Sequence, residues 1–251
     1  MILNVGKGEL NMPRFFVDNI VESTYTIVGN DAHHISKSLR MKVGEGLTLC
    51  DKNGIDYACT IKEFLEDSVI VFVNDKSRCE SEPSVKVTLY QGLPKGEKMD
   101  LIVQKAVELG VDRIVPVMMS RCVSKPDAKS ARKKVERWQK ISQEAAKQSR
   151  RGIIPKISEL ISLETAISDA CKSDRTLVFY ECGGEKINNL ISHDTKSISI
   201  FVGPEGGFEE NEILSITNAG GFSATLGPRI LRTETAPLAA LAIIMHVTNN
   251  I

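Results

Sequence analysis

The chain has 251 residues, which is enough for one large domain or two modest ones, each with its own core. Its hydrophobic fraction of 42% and charged fraction of 25% are those of an ordinary globular protein. The longest apolar run, residues 236–247, is too short to span a membrane, and charged side chains interrupt the first twenty residues. We therefore expect a soluble cytoplasmic protein with no secretory signal and no membrane partner.

Six cysteines are scattered along the chain without a CxxC pair. This spacing favours buried free thiols in a reducing cytosol over disulfides or a zinc site. Two adjacent histidines, His33 and His34, do not make a metal site by themselves. We expect no bound metal.

The N-terminal part of the chain is rich in short β-prone stretches. Residues 1–11 precede Met12, which looks like a better start, and we expect them to form a disordered extension. The β-prone stretches are Arg14–Val17, Tyr25–Val28, Leu47–Cys50, Tyr57–Ile61 and Val69–Val73. The polar segment 76–83 ends in Pro83 and predicts a linker. A small β-rich domain is therefore expected over residues 12–75.

Two local signals in this region predict more detailed structure. Asn53-Gly54 is typical of a two-residue hairpin turn between two of the strands. A short helix is predicted to begin at Asn30 or Asp31 and to carry Ile35 and Leu39 on one face.

Beyond residue 83 the pattern changes to strands that alternate with helices. The predicted strands are Val85–Tyr90, Arg113–Met119, Thr176–Glu181, Ser197–Val202 and Phe222–Leu226. The predicted helices are Gly96–Gly110, Lys129–Ser149, Glu209–Ala219 and Thr235–His246. Gly110 is expected to end the first of them. This alternation is typical of an α/β domain, here residues 84–251, with a mostly parallel sheet covered on both faces.

Basic side chains are concentrated in one segment. Residues 125–156 carry 11 basic and 3 acidic side chains, a net charge of +8, although the whole chain is neutral. Such a surface suits the phosphates of a nucleic acid. A solvated basic helix without a partner would have the same composition, so charge alone leaves both interpretations open.

Three glycine-bearing segments, residues 179–184, 201–208 and 226–237, follow predicted strands. Ligands in parallel α/β sheets bind at the carboxyl ends of strands, and glycine lets a ligand lie against bare backbone. The second segment lacks the spacing of a dinucleotide loop or a phosphate P-loop, and a tight turn would also explain it. In the third, two arginines and a glutamate lie beside an apolar helix. Because an unpaired buried charge is costly, this indicates either an ion-pair cluster or a bound ligand.

Several longer phrases in the chain are specific enough to identify a family. They are Gly203-Pro-Glu-Gly-Gly, Leu226-Gly-Pro-Arg-Ile-Leu-Arg-Thr-Glu-Thr-Ala, His33-His-Ile-x-x-x-Leu-Arg-Met, Leu93-Pro-Lys-Gly-Glu-Lys-Met, Gln104-Lys-Ala-x-Glu-Leu-Gly and Glu144-Ala-Ala-x-Gln-Ser-x-Arg. In the residue types, spacing and chain order of these motifs, the chain resembles the RsmE family. That family comprises the 16S (small-subunit) ribosomal RNA uracil N3-methyltransferases of the SPOUT superfamily.

The resemblance implies a fold, a cofactor and a partner. The C-terminal domain would be an α/β SPOUT methyltransferase fold with a C-terminal trefoil knot, an exception to the rule against threaded chains. A small β-rich PUA-like barrel domain that binds RNA would precede it. The three loops would hold the methyl donor, S-adenosyl-L-methionine. The chain would act as a homodimer on 16S ribosomal RNA or the small ribosomal subunit, with the active site completed across the subunit interface.

The resemblance also suggests roles for individual residues. The expected cofactor-binding residues are Phe179, Tyr180, Glu181, Gly203, Pro204, Glu205, Gly206, Gly207, Leu226, Gly227, Ile230, Leu231, Thr235 and Ala236. The expected RNA contacts are Arg14, His33, Arg40, Lys95, Lys98, Arg121, Arg132, Lys133, Arg137, Lys140, Arg150 and Arg151. For catalysis, we expect Arg232 to stabilise the deprotonated uracil and Glu205 or Glu234 to accept its proton.

A function of a different class stays open at this point. A non-catalytic RNA-binding ribosome assembly factor could hold a nucleotide-like ligand and use the same basic segment and β-rich domain. A nucleotide hydrolase is disfavoured, because the sequence contains no P-loop.

Overall fold

The computed structural model describes residues 12–18, 20, 22–51 and 53–251. The expected N-terminal extension, residues 1–11, lies outside the described residues. The described chain divides into two compact units. Unit 1 extends as far as Glu82 and also includes Arg150–Ile153, whereas unit 2 comprises Pro83–Ser149 and Ile154–Ile251.

Unit 1 is built on a five-stranded sheet. Its elements are β1 (Arg14–Phe16), β2 (Thr24–Val28), α1 (Gly29–His33), β3 (Gly46–Cys50), β4 (Ile55–Phe64) and β5 (Ser68–Arg78). Among the described residues the strand order is β1-β3-β4-β5-β2, with β1 and β2 at the two ends of the order. Only the β1–β3 pair is parallel among these described strands. Alternate side chains such as Leu47, Leu49 and Ile61 point into the core, as the period of two predicts.

The β3–β4 hairpin and the end of β5 differ from the expectations. The connection between β3 and β4 spans residues 51–54, so the predicted two-residue turn is wrong. Asp51 shapes this loop, because its Oδ1 accepts hydrogen bonds from the N–H groups of Asn53 (2.8 Å) and Ile55 (3.1 Å). The sheet also extends to Arg78, so the first residues of the predicted linker are paired with β4.

The predicted short helix also differs in its start and its buried face. α1 begins after Val28, which makes no side-chain cap, so neither Asn30 nor Asp31 is the capping residue. A π-helical turn, His34–Ser38, follows, and the N–H of Leu39 donates to the carbonyl of His34 at 2.9 Å. The wider turn rotates Leu39 away from the face of the buried Ile35, and Leu39 is 41% exposed.

Unit 2 contains an eight-stranded sheet in which all the described pairs are parallel. Its strands are β6 (Lys86–Gly92), β7 (Arg113–Met118), β8 (Lys156–Ile157), β9 (Ile161–Ser162), β10 (Arg175–Phe179), β11 (Glu185–Lys186), β12 (Ser197–Val202) and β13 (Phe222–Thr225). Its helices are α2 (Lys98–Glu108), α3 (Ala128–Gln148), α4 (Leu163–Ala170), α5 (Ile187–Leu190), α6 (Glu210–Asn218) and α7 (Ala236–Val247). The strand order is β11-β13-β10-β12-β6-β7-β8, with β9 also paired to β7.

The long strands and helices of unit 2 confirm the predicted alternation. The shorter elements were not predicted from the sequence. Strands β10 and β12 are buried along almost their whole length, which means that both faces of the sheet are covered. The predicted helices correspond to α2, α3, α6 and α7. The short elements β8, β9, β11 and α5 were not predicted, because two-residue strands and a single helical turn carry too few residues to show a period. The eight-residue helix α4 was not predicted either.

Gly110 ends α2 as predicted. Its φ is +93°, its N–H donates to Val107 O, and the N–H of Val111 donates to Ala106 O. This is the hydrogen-bond pattern of a left-handed helix end, which glycine adopts without strain. No helix among the described residues is long and apolar enough to cross a membrane.

We predict that Gly110→Ala destabilises unit 2 more than Gly220→Ala. Both glycines follow a helix with nearly equal φ, +93° and +92°, so both variants lose about 1–2 kcal/mol to left-handed strain. A Cβ at Gly110 would also lie 2.7 Å from Pro83 Cγ, whereas Gly220 has open space. The overpacking adds about 1–3 kcal/mol, or several degrees in Tm. Thermal unfolding followed by circular dichroism measures the difference; equal Tm values would contradict the packing argument.

Candidate functional site

The three glycine-bearing loops converge on one cavity in unit 2. They follow β10, β12 and β13, which are neighbouring parallel strands, so their carboxyl ends lie at the same edge of the sheet. The cavity has a volume of about 730 Å³, within the range of small-molecule sites, roughly 300–1,000 Å³. All of the predicted cofactor residues line it except Thr235. Thr235 is exposed and precedes α7, where its N–H donates to Arg232 O at 2.8 Å.

Several lining residues were not predicted as cofactor contacts. They are Lys98, Cys182, Gly183, Val202, Phe208, Ala224, Thr225, Pro228, Arg229 and Thr233. Most are immediate neighbours of predicted ones, so extending each loop by a residue or two would have included them. Lys98 is different, because it comes from α2, far away in sequence, and was predicted as an RNA contact. The expectation that all the cysteines are buried is also wrong: Cys171 and Cys182 are exposed, although none of the six forms a disulfide.

Gly207 lets the second loop approach the first. Its φ is +70°, and a Cβ there would lie 2.7 Å from Glu181 Oε1. Any side chain at this position would have to push the Glu181 carboxylate away and would also strain the backbone. The bare backbone of Gly207 is therefore part of the shape of the cavity.

Lys98 links the second and third loops electrostatically. Its Nζ lies 2.9 Å from Glu205 Oε1 and 3.5 Å from Glu234 Oε2. Hydrogen bonding to Glu205 raises the pKa of Lys98. Burial alone would raise the pKa of Glu205, but hydrogen bonds from Lys98 and the Lys95 N–H hold it below its ordinary value. Glu205 is therefore a stable carboxylate in this site.

The three predicted catalytic residues occupy different positions. Glu205 and Arg232 line the cavity, whereas Glu234 does not line it and pairs with Lys98. Arg232 is exposed, and no carboxylate pairs with it among the residues that the structure describes. The cavity thus presents two guanidiniums, those of Arg229 and Arg232, for which the described residues supply no carboxylate partner.

Most of the predicted RNA contacts are exposed. His33 and Arg40 are exposed in unit 1, and Lys95, Arg132, Lys133 and Lys140 are exposed in unit 2. Arg150 is exposed and belongs to unit 1. Two more exposed arginines form ion pairs. Arg121 contacts Glu209 and the carbonyl of Gly206, both at 2.8 Å, and Arg137 contacts Asp100.

Two predicted RNA contacts, Arg14 and Arg151, are corrected by the structure. The Arg14 side chain is 11% exposed, pairs with Asp56 and contacts the Cys79 thiol at 3.2 Å. The Arg151 side chain is 4% exposed and pairs with Glu82 at 2.8 Å. Glu82 also accepts hydrogen bonds from the N–H groups of Gly152 and Ile153. Both arginine side chains are largely buried inside unit 1, where the carboxylate supplies the partner that a buried charge requires.

No group of three or more His, Cys, Asp or Glu side chains that could hold a metal occurs in the described part of the chain.

Comparison with known protein families identifies both units. A model described as the RNA methyltransferase domain matches residues 80–245. A second model, the RNA methyltransferase PUA domain, matches residues 27–74. The first match covers the whole cavity, and the second covers most of the five-stranded sheet.

Curated relatives match along almost the whole chain. Ribosomal RNA small subunit methyltransferase E of Bacillus subtilis is 36% identical over 249 residues, covering 94% of this chain and 97% of that protein. The protein of the same name from Mycobacterium bovis is 30% identical, covering 94% and 92%.

Solved structures agree with this assignment. A ribosomal RNA small subunit methyltransferase E from Neisseria gonorrhoeae, bound to S-adenosyl methionine, has a TM-score of 0.83 and 32% identity, covering 94% of this chain and 98% of that one. A putative methyltransferase from Legionella pneumophila, in complex with bound SAM, has a TM-score of 0.82 and 28% identity, covering 94% and 98%. The α/β fold with its N-terminal PUA-like domain is confirmed, while the knot stays a prediction. The chain therefore belongs to the RNA methyltransferase family that includes ribosomal RNA small subunit methyltransferase E.

Proposed function

We propose that this protein methylates ribosomal RNA of the small subunit, with S-adenosylmethionine as the methyl donor. The observation that carries the proposal is the cavity formed by the three loops at the strand ends of unit 2. Relatives with the same fold are described as bound to this cofactor. The target atom, N3 of a uracil in 16S RNA, follows from the family resemblance.

The residues of the cavity fit such a cofactor. Its volume of about 730 Å³ accommodates a nucleoside-sized ligand. The glycines of the second loop expose backbone to a ligand, and Phe179, Val202 and Phe208 supply apolar walls. When bound, the cofactor supplies an electrophilic methyl group on a sulfonium. The chain has to position the accepting base in line with that group and to assist the loss of its proton.

Arg232 is the residue that we propose to stabilise a deprotonated uracil. It lines the cavity without a carboxylate partner among the described residues, so its charge is available to an anionic base. Glu205 is a weaker candidate for the base, because its carboxylate oxygens already accept hydrogen bonds from Lys98 and the Lys95 N–H. These bonds lower the pKa of Glu205, which makes it a poorer proton acceptor. Glu234 keeps its proposed role as the alternative base.

The RNA is proposed to contact exposed basic residues. In unit 2 these include Arg132, Lys133 and Lys140 on α3. Phosphate contacts of this kind orient the substrate without reading its sequence. Arg14 and Arg151 are not part of this surface, since their guanidinium groups are buried.

We also propose that the protein is a cytoplasmic homodimer. α7 is apolar from Ala236 to Met245, yet Leu238, Ala239, Ala242 and Ile243 are only partly buried. These positions recur at helical spacing, so they form one stripe. An apolar stripe that its own chain covers incompletely suits an interface with a second copy.

Substitution of Arg232 by Gln should separate binding from chemistry. We expect wild-type protein to bind S-adenosylmethionine in a calorimetric titration and to transfer a tritiated methyl group to small-subunit RNA. Arg232→Gln should keep the binding affinity and lose about 10²–10³-fold in rate, the effect of removing one donor to a developing anion.

Binding by the wild type without any transfer would instead favour the assembly-factor alternative. Full rate in the Arg232→Gln variant would contradict the role of the guanidinium. Unchanged pH–rate profiles in both Glu205→Gln and Glu234→Gln would rule out either glutamate as the group that accepts the proton of the uracil.

Neutralising α3 should weaken RNA binding in a salt-dependent way. In the triple variant Arg132→Gln, Lys133→Gln and Lys140→Gln, we expect the slope of log K against log salt to become shallower by about 2–3, since each lost phosphate contact removes about 0.7–0.9. Filter binding over a salt series measures this slope. The matched control replaces three exposed lysines elsewhere in unit 2, Lys86, Lys172 and Lys186. Equal slopes in the two triple variants would count against the proposed surface.

The dimer is tested with a charge placed on the α7 stripe. We expect Ile243→Lys to yield a monomer in light scattering, because a lysine cannot be buried there without a partner. Leu214→Lys, on the exposed face of α6, should stay dimeric. A monomeric wild type, or dissociation by Leu214→Lys alone, would rule out α7 as the interface.

A further inference from the structure

A buried hydrogen-bond cluster outside the predicted site residues lies directly beneath the cavity. It consists of Gln91, at the end of β6, and Thr233, in the third loop, which are 0% and 6% exposed. Both side chains reach the carbonyl of Gly203, in the second loop. Thr233 Oγ1 donates to it at 2.7 Å, and Gln91 Nε2 lies at 3.3 Å.

The surrounding acceptors determine which atoms of the cluster donate hydrogen bonds and how the Gln91 amide is oriented. Gln91 Nε2 also donates to Thr233 Oγ1 at 3.0 Å and to Gly92 O at 3.1 Å. Because the Thr233 hydroxyl gives its single proton to Gly203, it can accept from Gln91. A flipped amide would turn the Gln91 oxygen towards two carbonyl oxygens and a hydroxyl whose proton is already used. The amide therefore has one orientation.

The peptide that this cluster holds has no other polar group. The carbonyl of Gly203 is joined to Pro204, which has no N–H, so this carbonyl is the only hydrogen-bonding group of the Gly203–Pro204 peptide. The Pro204 ring also packs closely against Gly92 in β6. The contact leaves no space for a side chain there, since a Cβ on Gly92 would lie 2.6 Å from Pro204 Cδ. The second loop is thus fixed at its first turn by hydrogen bonds and by close packing on β6.

We propose that Gln91 and Thr233 are positioning residues for the methyl donor, which fix the second cofactor loop against the third. Gly203, Pro204 and Thr233 all line the cavity, so a change in the cluster changes the distance between two of its walls. The inference rests on the proposed function, because it assumes that S-adenosylmethionine occupies this cavity. Neither residue needs to touch the reacting atoms.

Thr233→Val tests the proposal, because it keeps the shape of the side chain and removes the hydroxyl. We expect the Kd for S-adenosylmethionine, measured by calorimetry, to rise about tenfold, since one net hydrogen bond corresponds to about that factor. Thr233→Ser restores the hydroxyl and should stay within about threefold of wild type. Amide hydrogen exchange over residues 205–208 should become faster in Thr233→Val and not in Thr233→Ser.

A matched control distinguishes positioning from general stability. Thr248 is also buried, 3% exposed, and its hydroxyl donates to Ile244 O at 2.8 Å, at the end of α7. Thr248→Val should lower Tm and leave the Kd for S-adenosylmethionine unchanged. Gln91→Met keeps the volume and leaves the hydrogen bond from Thr233 to Gly203 in place, so it provides a second variant with an expected increase in Kd of a few-fold.

The outcomes separate this inference from the function on which it rests. If wild-type protein does not bind S-adenosylmethionine, the proposed function fails. If wild type binds while Thr233→Val and Gln91→Met bind equally well, the positioning role is overturned. It is also overturned if Thr248→Val weakens binding as much as Thr233→Val does.

Discussion

The site depends on one constraint, the parallel pairing of neighbouring strands in unit 2. Because β10, β12 and β13 run in the same direction, the segments that leave their carboxyl ends are brought to one edge. The close approach of these segments then requires bare backbone, as at Gly207 beside Glu181. The buried bonds of Gln91 and Thr233 hold the same loops from below.

Charge pairing divides the basic residues into structural and available groups. Lys98 is shared by two carboxylates at the edge of the cavity, and Arg14 and Arg151 each compensate a carboxylate inside unit 1. Charges that are paired in this way stabilise loops and cores, and they are less available to interact with a ligand. Arg229 and Arg232 differ because the described residues give neither of them such a partner, and this availability supports the role in catalysis proposed for Arg232.

Much of the fold could be predicted from periodicity. The helical spacing of Met99, Ile102, Val103, Ala106 and Val107 placed α2 correctly, and all five are buried. The strand-helix alternation indicated a parallel sheet, which the structure confirms. The failures were local: a π-helical turn displaced Leu39, and Asp51 lengthened a hairpin that Asn53-Gly54 suggested would be short. Such features depend on side-chain hydrogen bonds within a few residues, which periodicity does not describe.

By itself, the sequence determined the family and the three glycine-bearing segments that contain most of the residues around the cavity, because the residues of each segment are contiguous in the chain. Only the tertiary structure decided which charges are buried, since an arginine can pair with a carboxylate far away in the chain, as Arg151 does with Glu82. It also decided that Gln91, Gly203 and Thr233 meet, although more than a hundred residues separate the first from the others. Hydrogen bonds and ion pairs act over a few ångströms in space, and spacing along the chain does not reveal which distant groups will come that close.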